Sequence, residues 1–173
     1  MADISSLLAA RVPPAAPAKD PDPVFDLIEL LFFAYRDFVS DPDAILERFE
    51  FGRAHHRVLH FVNRNPGLTV ADLLDILKIT KQSLARVLKE LIDGGFIVQR
   101  PGSVDRRQRL LFTTDQGKAL AAELSAPQTN RIRNALNSLG PEARETVASF
   151  LFAMIDAPER RKAAELTRKH GKA

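Results

Sequence analysis

Residues 69–113, TVADLLDILKITKQSLARVLKELIDGGFIVQRPGSVDRRQRLLFT, decide the fold. Thr69 to Asp72 has the spacing of a capping box with Asp in the place of Glu, and it opens a short helix with Val70, Leu73, Leu74 and Leu77 apolar. After Ile79, Thr80-Lys81-Gln82-Ser83 forms a second N-cap, and Leu84, Val87, Leu88 and Leu91 then fall on one helical face. Gly94-Gly95 ends that helix as a left-handed C-cap. Phe96 to Arg100 reads as a strand, Pro101-Gly102-Ser103 as a turn, and Arg109 to Thr113 as the return strand. Two short helices joined by about three residues, the second with a polar and basic first turn, have helix-turn-helix geometry. Followed by a hairpin with a basic tip, they make a winged helix-turn-helix.

The charge pattern points the same way. The net charge is only +3. Residues 1–77 nevertheless hold 7 basic and 12 acidic side chains, whereas residues 78–109 hold 8 basic and 3 acidic ones. Residues 110–173 hold 10 and 7. A basic segment concentrated on a near-neutral chain is the electrostatic footprint of a partner that is a polyanion.

The flanks read as helices. Residues 24–39, VFDLIELLFFAYRDFV, place Phe25, Ile28, Leu31, Phe32, Tyr35 and Phe38 at 3,4 spacing, and Leu27, Leu30 and Phe33 widen that face until little of the circumference is polar. Such a helix calls for burial, and on a chain this small a second copy is the expected cover, with an intramolecular core helix as the alternative. Asp41-Pro42 is expected to cap a short helix from Asp43 to about Glu50, and Arg53 to Asn63 a further one. Asn65-Pro66-Gly67 is a turn. From Asp115 to about Ser138 the pattern is helical again, with Pro127 expected to bend or interrupt it. Gly140-Pro141 begins a last main helix with Val147, Phe150, Leu151, Met154 and Ile155 on one face, expected to end at Ala157-Pro158 before a charged tail.

The expected fold class is mainly α with a small β-hairpin wing: a winged helix-turn-helix core flanked by N- and C-terminal dimerisation helices. The divisions are a Pro/Ala-rich disordered arm at 1–23, dimerisation helices at 24–50, the DNA-binding lobe at 51–114, dimerisation helices at 115–157 and the charged tail at 158–173.

Several chemistries are excluded. The 173 residues contain no cysteine, which removes disulfides, thiolate metal sites, cysteine nucleophiles and thiol redox sensing. No phosphate-binding loop, serine elbow or metalloprotease helix is present, so no enzyme activity and no cofactor is expected. No apolar run approaches the ~18 residues of a membrane span, and no charged-then-apolar leader opens the chain, so a cytoplasmic protein without a membrane partner is expected. His55, His56 and His60 fall close together, with His56 and His60 at i,i+4. A metal site needs a third ligand, so structural or interfacial histidines are expected and no metal, with a pH-sensing or small-ligand role as the alternative.

The segment from Phe51 to Gly117 resembles the MarR family of bacterial transcriptional regulators. The resemblance rests on the wing, DRRQRLLFTTDQG, which sets Asp105, Arg107, Thr114 and Gly117 at the family's spacings, and on the order of helix, turn, short helix, recognition helix and wing strand upstream of it. Thr113 stands where the family usually has Leu, and Gly52 where it often has Thr. With a recognition helix in the major groove, Thr80, Lys81, Gln82, Ser83 and Arg86 occupy its first turn and a half. Gln82 can pair with adenine and Arg86 with guanine, while Lys81 and Lys89 suit phosphates; for Lys89 a solvated helix face is the alternative. At the wing tip stand Arg106, Arg107 and Arg109. The resemblance implies that Asp105 orients a wing arginine, Arg107 first, toward the minor groove; closing the hairpin turn is the alternative for Asp105. It also implies a homodimer on double-stranded DNA and a small-molecule effector pocket near Phe32, Tyr35, Arg36, Arg53, His56 and Arg57. A winged-helix protein-interaction module and a nonspecific architectural DNA binder are the competing classes. The basic first turn and the wing arginines argue against the former, and the base-reading pair Gln82 and Arg86 against the latter.

Overall fold

The structure, a computed structural model, describes residues 24–102 and 105–168. The expectations for the 1–23 arm, for Ser103 in the turn and for the end of the tail lie outside the described residues. Elements run in the order α1 (Phe25–Ser40), α2 (Asp43–Glu47), α3 (Arg53–Arg64), β1 (Leu68–Thr69), α4 (Val70–Leu77), α5 (Lys81–Asp93), β2 (Ile97–Pro101), β3 (Arg109–Thr113), α6 (Asp115–Leu139), α7 (Ala143–Ala153) and α8 (Ala157–Arg168). The chain divides into two units, one of residues up to Tyr35 together with those from Arg131, the other Arg36–Asn130.

The second unit is the winged helix-turn-helix, and local chemistry sets its elements. Thr69 Oγ1 accepts the Asp72 N–H at 3.1 Å while Asp72 Oδ2 accepts the Thr69 N–H at 2.8 Å, the reciprocal bonds of a capping box. Thr80 Oγ1 accepts the Ser83 N–H at 3.1 Å and starts α5. Gly94 caps the end of α5 in a right-handed conformation, and it is Gly95, at φ +76°, that takes the left-handed position after it. One core seals these elements: Val58, Leu59 and Val62 of α3, Leu73 of α4, Leu84, Val87, Leu88 and Leu91 of α5, Ile97 and Leu111 of the hairpin, and Leu120 and Leu124 of α6 are buried together with Leu46 and Phe96.

The sheet has three antiparallel strands in the order β1-β3-β2, with Val98 opposite Phe112 and Leu68 opposite Leu111. The two-residue β1 is a strand only because β3 pairs with it.

Three expectations are corrected. Pro42, not Asp41, occupies the N-cap position of α2, without a side-chain cap bond, and the helix closes at Glu47 into turns. Pro127 does not interrupt α6, which runs 25 residues through it. One missing N–H and a ring against the preceding turn cost about 3 kcal/mol, and Leu120, Ala121 and Leu124, buried on the near side, help to offset that. Ala157-Pro158 starts α8 instead of ending α7: proline is tolerated in a first helical turn, where its N–H would have no partner.

In the other unit the apolar residues of α1 are exposed, Phe25 at 65% and Phe32 at 62% of their full area, and so are Ile132, Leu139, Phe150, Leu151 and Met154. No residue of α1 or α7 is buried. Among the described residues no helix is long and apolar enough to cross a membrane.

Candidate nucleic-acid interface

Lys81, Gln82, Ser83, Arg86, Lys89 and Glu90 of α5 are all exposed, and Gln82, Arg86 and Lys89 among them lie on the face opposite its buried leucines. Thr80 and Ser83 are committed to the cap: besides accepting the Ser83 N–H, the Thr80 hydroxyl donates to Ser83 Oγ at 3.0 Å. Lys81, Gln82 and Arg86 extend from the first turn and a half and make no side-chain hydrogen bond or ion pair among the described residues. Lys89 differs, since its ammonium is ion-paired with Asp93 one turn on, which raises its pKa above the usual lysine value. A phosphate would have to compete with that carboxylate.

In the wing, Arg106 and Arg107 sit in the turn and Arg109 begins β3 opposite Pro101, all three exposed. The Arg107 N–H donates to Asp105 Oδ1 at 2.9 Å. Asp105 therefore closes the turn and fixes the backbone from which the Arg107 side chain departs; among the described residues it makes no ion pair with a wing arginine. Gly102 is needed here, because a Cβ on it would lie 2.6 Å from the Asp105 carbonyl oxygen.

Two further positions hold the wing to the recognition helix. The Thr114 hydroxyl donates to the Gly95 carbonyl at 2.7 Å and accepts the Gly117 N–H at 3.0 Å, so it caps α6 and ties it to the end of α5. A Cβ on Gly117 would fall 2.0 Å from the Phe96 carbonyl oxygen. The Thr and Gly of the wing motif are thus there for capping and close approach. Arg100, absent from the expected contacts, lays its guanidinium 5.0 Å from the centre of the Phe112 ring.

The histidines separate into different roles. His55, 6% exposed, lies flat on Phe51 at 4.5 Å between centroids. Its Nδ1 accepts the Gly52 N–H at 3.0 Å, and its Nε2 meets Glu90 Oε2 on the recognition helix at 2.5 Å. Gly52 has no side chain to cap with, and His55 at the third helical position reaches back in its stead. Sequence spacing could have revealed that half of the arrangement but not the link to Glu90. His56 is also buried, and that burial, with His60 and Arg57 nearby, pushes its pKa down to about 4. Among the described residues no three His, Asp or Glu side chains converge as a metal set. Of the expected effector-pocket residues, Phe32 and Tyr35 fall in the first unit and Arg36, Arg53, His56 and Arg57 in the second. Arg53 grips Asp43 with two bonds, at 3.0 and 2.6 Å, which lowers the Asp43 pKa, and Arg36 pairs with Asp37 at 2.9 Å.

A family model described as MarR family matches residues 50–108. The HTH-type transcriptional regulator PetP of Rhodobacter capsulatus is 50% identical over 134 residues, 78% of this chain and 81% of the relative. Among solved structures, one described as the crystal structure of MarR covers 91% of this chain and 100% of its own at a TM-score of 0.58 and 20% identity. The transcriptional repressor CouR, bound to a 23-mer DNA duplex, covers 80% of this chain and 99% of its own at a TM-score of 0.59 and 24% identity. These solved structures share the winged-helix fold, and the family and the PetP relative are regulators, not enzymes. The chain belongs to the MarR family of helix-turn-helix transcriptional regulators.

Proposed function

We propose that the protein acts as a homodimeric repressor that occupies a pseudo-palindromic operator, the first turn and a half of α5 in the major groove and the wing against the minor groove. The observation that carries this reading is the exposed, unpaired trio Lys81, Gln82 and Arg86 at the capped start of α5. Gln82 and Arg86 are one turn apart on one face, the spacing at which two side chains can reach neighbouring base pairs. The Thr80–Ser83 cap holds the helix start so that the N–H groups of Lys81 and Gln82 can meet a phosphate. Arg106, Arg107 and Arg109 supply the wing contacts, and Lys89 a phosphate contact once released from Asp93. The DNA-bound CouR relative supports the same use of the fold.

Residues 51–114 form the DNA-binding lobe in this reading, and 24–50 and 115–157 the dimerisation helices. The exposed phenylalanines and leucines of α1, with Phe150 and Leu151 of α7 and Met154 at its end, are apolar surface that a second copy would cover. Half-sites are then about one helical turn, 10 bp, apart, and affinity falls steeply with salt. Effector control near Phe32, Tyr35, Arg36, Arg53, His56 and Arg57 rests on the family resemblance alone. Selection from a random duplex pool with the purified protein tests the central claim. A palindromic motif supports it; bulk enrichment without a motif makes the protein an architectural binder, and no retention makes it a protein-interaction module.

A further inference from the structure

Glu90 is an exposed acid at the edge of the reading face of α5, one helical turn after Arg86 in the row Gln82, Arg86, Glu90. On an exposed helix an arginine and a glutamate at i,i+4 attract each other. Such a pair would draw the guanidinium along the helix and away from a base edge, and would neutralise it in the groove. Arg86 makes no such pair among the described residues. The Glu90 carboxylate is turned instead toward α3, where buried His55 holds Oε2 at 2.5 Å. The imidazole is fixed from both sides: the Gly52 N–H donates to Nδ1, which leaves the ring proton on Nε2 for Glu90, and the ring is stacked on Phe51. An aromatic ring 7% exposed in its side chain and bonded at both nitrogens cannot follow Glu90 outward.

We propose that His55 is a positioning residue for DNA reading: by capturing the Glu90 carboxylate from behind the recognition helix, it keeps Arg86 unpaired and keeps a negative charge out of the groove. This rests on the proposed role of Arg86. The effect is a moderate one, because the Arg-before-Glu order is the weaker orientation of an i,i+4 pair and the pair is exposed to solvent.

The test is fluorescence anisotropy on the duplex that the wild-type protein selects from a random pool, with thermal melts to check each variant. Glu90→Asp leaves the buried ring untouched but is a methylene too short to stay on His55, so its acid is released toward Arg86. It is expected to weaken binding about twofold, and Glu90→Gln, which removes the charge, to cause no loss. His55→Gln retains a side chain able to cap Gly52 but gives up the fixed ring, and is expected to match Glu90→Asp. Adding Glu90→Gln to it is expected to restore wild-type affinity, which a merely structural role for His55 would not allow. In an Arg86→Ala background, itself about tenfold weaker, Glu90→Asp is expected to cost nothing further. Wild-type affinity for Glu90→Asp, or a loss that persists without Arg86, overturns the inference. An Arg86→Ala protein that binds as tightly as wild type overturns instead the reading of Arg86 on which it stands.

Discussion

Replacing Gly117 by alanine would place a methyl carbon 2.0 Å from the Phe96 carbonyl oxygen. Gly117 lies in the first turn of α6, where helix propensity alone favours alanine over glycine by up to about 1 kcal/mol. The structure reverses that sign. A carbon and a carbonyl oxygen rest no closer than about 3.3 Å, so α6 and the segment after α5 would have to separate by more than about 1 Å. Phe96 cannot easily yield: it is buried, its ring meets Phe49 at 5.6 Å and Phe51 at 5.4 Å, and its carbonyl accepts the Thr114 N–H at 3.0 Å. Overpacking of this kind costs about 1–3 kcal/mol, and the upper end applies where a hydrogen bond strains together with the packing. For a chain of this length each kcal/mol moves the melting temperature by about 2–4 °C, so Gly117→Ala should melt about 6–12 °C lower. Circular dichroism melts and urea titrations of the two proteins measure it. A melting temperature equal to or above that of the wild type would refute the close approach and leave helix propensity as the whole account.

Arg107→Ala should cost about 1–3 kcal/mol of binding to the selected duplex without altering the melt, and unchanged affinity would remove the wing from the interface. Thr80→Ala deprives the Ser83 N–H of its acceptor and should destabilise the fold by about 1 kcal/mol, read as a lower urea midpoint at constant slope; an unchanged midpoint would mean that solvent caps α5 equally well. His56, with a folded pKa of about 4 against 6.5 in the unfolded chain, binds its proton more readily when unfolded. Stability should therefore fall as pH drops from about 6.5 to about 4 and lose no more below that, by at most about 3 kcal/mol from this one group. In His56→Gln the pH 7 to pH 4.5 difference in urea midpoint should shrink, and parallel behaviour of the two proteins would sink the assignment.

What the sequence determined by itself is the helix-turn-helix. Caps at Thr69 and Thr80, the apolar rows of α4 and α5 and the glycine stop after Asp93 are interactions between residues three or four apart, so neighbours in the chain carry the whole signal. The basic segment from Lys78 to Arg109 is likewise local, and it points to a polyanion as the class of partner. Tertiary structure decided what depends on residues far apart. The strand at Leu68 exists only through its pairing with Leu111, α6 continues through Pro127 as a single helix whose near side is packed in the core, and the Gly117 requirement comes from a carbonyl 21 positions away. His55 and Glu90 are 35 residues apart, and each read alone is an ordinary histidine and an ordinary surface acid. Only the packing of α3 against α5 brings them together, because burial and close approach are set by the whole fold and leave no periodic trace along the chain.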